Sequence, residues 1–67
     1  MCLLKVYLEE EKNEKKFIAK DIALVIKEEN MIKLYKLETE NAINLENIDI
    51  FSIDTINSIM IVKSKNK

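Results

Sequence analysis

The 67-residue chain contains no glycine, no proline, no histidine, no arginine and no tryptophan, and only one cysteine. Each absence closes a route. Without glycine, a turn that needs positive φ must use Asn or Asp, the side chains that best tolerate the left-handed region. Without histidine, Ser52, Thr55 and Ser58 have no imidazole to activate them, which excludes a Ser-His-Asp site. A Gly-rich phosphate loop cannot be drawn either. One cysteine cannot close an intrachain disulfide, and neither a signal peptide nor a run of about 18 apolar residues occurs. The expectation is a cytoplasmic protein, not an enzyme, with no membrane partner.

Charge of one sign is also missing. Eleven lysines nearly balance twelve acidic residues, for a net charge of −1. Nucleic-acid binders usually carry a basic stripe with arginine and stacking aromatics. Here Tyr7, Phe17, Tyr35 and Phe51 lie in apolar runs that read as core. The tail Lys63-Ser64-Lys65-Asn66-Lys67 reads as a solvated end. Single-stranded RNA binding is therefore a distant third among functions, and nucleic acid is not expected as a partner. Glu9-Glu10-Glu11 with Glu14 reads as a solvated acidic loop, and Lys20-Asp21 as a surface turn pair.

What is present is isoleucine, eleven of them with three valines, which favour pleated surfaces. Apolar runs of strand length recur between polar breaks. They cover Cys2–Leu8, Lys16–Ala19, Ile22–Lys27, Met31–Glu38, Ala42–Leu45 and Ile48–Ile53, with Ser58–Val62 closing a hairpin over Asp54-Thr55-Ile56-Asn57. Alternation puts Leu4, Val6 and Leu8 on one face with Cys2, and Ile22, Leu24 and Ile26 together on another strand's face. Asn13 is the expected left-handed residue of the first loop, and Glu28-Glu29-Asn30 is a turn. One segment competes: Ile18, Ile22, Val25 and Ile26 also fit a helical stripe over residues 15–28. The bounded run Ile22–Ile26 favours β, and the fold class expected is all-β, a single domain over residues 1–67.

A chain this short buries only about 60% of its unfolded surface. Such domains usually need a disulfide, a metal or a partner as a staple. Several runs are apolar on both faces: Leu3 and Tyr7 oppose the Leu4/Val6/Leu8 row, and Met60 and Val62 oppose Ile59 and Ile61. A half-exposed sheet needs one apolar face. The surplus suggests a homodimer; a closed barrel with scattered exposed apolar residues is the plainer alternative.

The lone cysteine is Cys2. With Met1 removed, its α-amine and thiol close a five-membered chelate ring on a metal. With Met1 retained, the Met1 amine, the Cys2 amide nitrogen and the Cys2 sulfur form two fused rings. Both place nitrogen and thiolate donors in a plane, the donor set of Ni(II) or Cu(II). Zinc would seek four tetrahedral donors, and the chain has no histidine or second cysteine to offer. Two subunits meeting at a symmetry axis would supply an N₂S₂ set. The competing reading is a buried cysteine that caps the Leu4/Val6/Leu8 row, cysteine being among the most buried residue types. Redox chemistry or crosslinking is a smaller alternative.

Met1-Cys2-Leu3-Leu4-Lys5-Val6-Tyr7-Leu8 resembles the start of the CooT family of small nickel-binding proteins. The likeness continues through Asp21-Ile22-Ala23-Leu24-Val25, the acidic turn Glu28-Glu29-Asn30, Ile32-Lys33-Leu34, and a hairpin from Ile48-Asp49 to Ile59-Met60-Ile61. Only the Met-Cys-x-x-Lys-Val start is specific, and the family's turn glycines are missing. The resemblance implies an SH3-like or Sm-like barrel of five to six short strands that dimerises. It implies Ni(II) held at Cys2, with Met1 beside it, and a metallochaperone role in maturing carbon monoxide dehydrogenase, the possible client. The rival function is a metal-free homodimeric interaction module with an inert Cys2.

Overall fold

The first strand pairs with the last. β1 (Leu4–Glu9) lies parallel to β6 (Ile59–Ser64), with Val6 beside Met60 and Leu8 beside Val62. β2 (Lys15–Lys27) runs antiparallel on the other side of β1, followed by β3 (Met31–Lys36) and β4 (Ala42–Glu46), while β5 (Ile48–Asp54) pairs with β6. The sheet order is therefore β4-β3-β2-β1-β6-β5. This computed structural model describes residues 3–11, 14–38 and 41–65. Among them the chain is all-β, a single six-stranded sheet curled into a half-barrel. The expected helical alternative over residues 15–28 is not formed, since β2 occupies that stretch.

Curling puts one face inside. Val6, Ile32, Leu34, Met60 and Val62 lose all solvent contact there, and Ile22, Ala19 and Ile48 are buried with them. Leu4, Leu8, Ile43, Leu45 and Ile50 pack around them. The alternation read from the sequence holds for β1, β3 and β6, where every second residue points inward.

It fails for β2, and the cause is visible. Leu4 faces Ile22 and Val6 faces Ala19, so three residues of β2 span two of β1. Val6 and Tyr7 then face Ala19 and Phe17, leaving Ile18 as an extra residue. On the other side Ile22 and Leu24 face Lys36 and Tyr35, leaving Ala23 extra. These β-bulges bend and twist the strand so that it can serve both halves of the curl. They also reset the face. Ala19, Ile22 and Val25, three apart, point inward, whereas Leu24 and Ile26 are exposed on the outer face. The expected common face for Ile22, Leu24 and Ile26 is thus corrected. So is the expected break at Lys20-Asp21, where Asp21 takes φ 59° inside one continuous strand.

The other left-handed residues are Asn47 (φ 58°) and Ser58 (φ 59°). Asn47 is the corner between β4 and β5. Its N–H donates to the Asn30 carbonyl (2.7 Å), and its own carbonyl accepts from the Lys65 N–H (2.8 Å). The corner thereby ties the β2–β3 turn to the end of β6 and draws the curl shut on that side. Asp and Asn take this role as the sequence led us to expect; Ser58 does so without being anticipated, and Asn13 lies outside the described residues. The aromatics are a further correction. Phe17 and Phe51 are more than half exposed. Tyr7 meets Phe17 edge-on at 5.7 Å on the outer face, and the Lys63 ammonium sits 4.1 Å above the Phe51 ring.

Leu34→Ala should cost about 2–5 kcal/mol, because its site is closed on all sides. For a domain of this size that lowers Tm by roughly 10 °C or more. Ile56→Ser, at a side chain 90% exposed, should stay within about 0.5 kcal/mol of wild type. Paired thermal melts check both; equal losses would mean that Leu34 contributes no more to the core than Ile56.

Candidate metal centre

The chain enters the described sheet at Leu3, one residue before β1 begins. Met1 and Cys2, the residues expected to hold a metal, lie outside the described residues. What the structure fixes is the frame around that entry. Leu4 pairs with Ile22 on one side, and on the other the Lys5 N–H donates to the Ser58 carbonyl at 2.9 Å. Two residues on, Val6 is fully buried. The first strand is therefore anchored within two residues of its start, in the middle of the sheet, with the polar 55–58 turn alongside.

That turn is organised by Asp54. One carboxylate oxygen, Oδ1, accepts from the backbone N–H groups of Ile56 (3.0 Å) and Asn57 (3.1 Å). The other, Oδ2, accepts from the Asn57 side-chain amide at 2.9 Å. The side-chain amide of Asn57, then its backbone N–H, holds the Asp54 carboxyl below the usual carboxylate range; slight desolvation opposes this and the Ile56 N–H adds to it. Asp54 belongs to the same cross-strand row as Ile59 and Lys5. It is the carboxylate that shares a turn with the strand entry, and its oxygens are committed to holding that turn. Asp21, the other acid near Leu4 in register, sits in the β2 bulge.

Among the described residues no group of three or more His, Cys, Asp or Glu side chains converges to hold a metal ion. Of the acidic stretch Glu9 to Glu14, Glu9 ends β1 half-buried, while the exposed Glu10 donates its N–H to the carbonyl of the exposed Glu14 at 2.6 Å. A second acidic region is a shallow open groove lined by Glu28, Glu29, Asn30, Met31, Glu46 and Asn47. Its rim includes a contact that sequence reasoning missed. Lys65 is not simply solvated: its ammonium donates to the Glu29 carbonyl (3.0 Å) and the Asn30 side-chain oxygen (2.8 Å). No local signal reveals this bond, since its partners are 35 and 36 residues away.

No protein-family model matches the chain, and no curated protein matches it.

The lowered Asp54 carboxyl ties turn stability to pH. A depressed folded pKa contributes stability that is complete above the unfolded carboxylate pKa and is lost as pH falls through the folded value. A carboxyl-carbon NMR titration should therefore give Asp54 a midpoint below that of an ordinary aspartate. Asn57→Ala should move the midpoint up, and no movement would show that the Asn57 amide is not its main cause.

Proposed function

We propose that the protein holds Ni(II) as a metallochaperone-like carrier of the CooT type, gripping the ion through the Cys2 thiolate with nitrogen from Met1 and the Cys2 amide, as a homodimer. The observation that carries the proposal is the opening octad, Met1 to Leu8, with thiol and amine donors two residues ahead of a strand anchored in the sheet. Two features support it. The half-barrel is the kind of fold the resemblance implies. The absence of histidine and of a second cysteine leaves a flat nitrogen–sulfur set as the chelate this chain can best build.

The chemistry follows from the donors. One copy provides up to three in a plane, and the remaining position is taken by the second copy or by an exchangeable ligand. A carrier needs such an open position, whereas structural sites are closed. The thiol and amine must shed protons to bind, so affinity falls below neutral pH. The recipient proposed is a nickel enzyme such as carbon monoxide dehydrogenase.

The metal-free interaction module has one observation in its favour, the exposed Leu24, Ile26 and Phe17 on the outer sheet face. Thiol reactivity separates the two readings. A ligand cysteine should react within seconds with a thiol reagent in the native apo protein, and a packed one should need denaturant.

Adding Ni(II) to reduced protein should produce thiolate-to-metal absorption bands. They should vanish in Cys2→Ser and weaken strongly when a peptide extension ahead of Met1 removes the free amine. On this reading Cys2→Ser should melt within about 0.5 kcal/mol of wild type, whereas a cysteine packed as core filler would lose more. Wild-type protein that shows no such bands would end the nickel reading.

A further inference from the structure

The sheet has two edges, and they differ. β5 is guarded. A bulge falls between Ile50 and Ser52, and acids sit at positions 49 and 54. Bulges and charges are the usual devices that stop an edge strand from recruiting another chain. The bulge also breaks parity: Ile50 and Ile53 face the inward residues Val62 and Met60 although they are three residues apart. No antiparallel partner strand can keep its faces in phase along the whole of β5. β4 has none of these guards. It runs in unbroken register against β3, contains no lysine or proline, and has one charge, Glu46, at its very end.

We propose that β4 is the strand through which two copies of this chain join, edge to edge and antiparallel, about a two-fold axis at Asn44. The register follows from the pattern. Faces stay in phase only when residues of the same parity oppose each other. Of the registers that satisfy this, the one centred on Asn44 pairs all five residues of the strand. It sets Ile43 of each copy against Leu45 of the other on the inner face, where both already pack against the core. On the outer face it sets Ala42 against Glu46 and Asn44 against its twin, so no like charges meet. A two-fold contact must be complementary to itself, and β4 meets that condition where β5 does not.

This inference rests on the homodimer of the preceding proposal but not on its metal.

The test is made on apo protein by light scattering and native mass spectrometry. Wild type should have the mass of a dimer. Asn44→Lys and Asn44→Glu, both at an exposed outer-face position, should each weaken the dimer about tenfold or more, since each sets like charges face to face across the axis. Both should keep the wild-type far-ultraviolet circular dichroism. Mixing the two variants should restore a dimer containing one of each. Leu24→Glu, on the outer face away from β4, should leave the dimer intact. A monomeric wild type overturns the edge contact and the homodimer together. Variants that stay dimeric, a mixture that fails to pair, or a dimer broken by Leu24→Glu overturns the edge contact alone.

Discussion

The pairing of β1 with β6 is the constraint on which the rest of the sheet depends. A parallel pair cannot be made by a hairpin, so the whole intervening chain must be laid down as the crossover. Here that crossover is β2 through β5, and it returns β6 to the free side of β1. The centre of the pair, Val6 against Met60, is closed to solvent on both members. Bringing the ends of the chain together costs loop entropy before burial repays it, and contacts so distant in sequence make for slow folding. The result is a first strand flanked on both sides from its first two residues, Leu4 and Lys5. A short strand at a sheet edge would fray; this one cannot without opening the core.

Curvature is the second requirement, and the chain meets it without glycine. The bends fall at the β2 bulges, at the β4–β5 corner and at the start of β6, with Asp21, Asn47 and Ser58 in the left-handed region. Each such residue other than glycine costs roughly 1–2 kcal/mol. That cost is offset where the bent backbone finds partners. Asn47 both donates and accepts across the corner, and the turn before Ser58 is held by the carboxylate of Asp54. Ser58 in turn offers its carbonyl to Lys5. Bend and strand entry are thus parts of one hydrogen-bonded unit.

This explains which parts of the fold were legible in the sequence. β1, β3 and β6 alternate strictly, and their inward residues follow from period two alone. β2 does not. Its bulges stretch the inward spacing to three at Ala19, Ile22 and Val25, and a period near three is what an amphipathic helix also shows. Glycine often marks a bulge in sequence; here Lys20-Asp21 and Ala23 carry no such mark. The aromatics misled for a related reason. Apolar neighbours made Phe17 and Phe51 look internal, whereas Phe17 pairs with the outer-face Tyr7 beside the β2 bulge and Phe51 is the extra residue of the β5 bulge. Lys65 was illegible because its bond to the Glu29–Asn30 turn exists only once the curl has formed.

The candidate site was legible in a different sense. Cys2 and Met1 stand out through donor chemistry and through the likeness of the opening octad, neither of which depends on tertiary structure. What the structure adds is a limit on the help they receive. Asp54 lies in the cross-strand row of Lys5, and the three hydrogen bonds it accepts within its own turn leave it little free capacity and lower its basicity. A metal at the strand entry would then depend on nitrogen and sulfur from the first two residues and on one exchangeable or borrowed ligand. Such a site binds less tightly than a closed four-ligand cage and releases more readily. For a carrier that is an advantage, since the ion must leave. Among the described residues the sheet anchors β1 on both sides and no cluster of three or more metal-binding side chains forms, so the proposed chelate is argued from the donor chemistry of the first two residues.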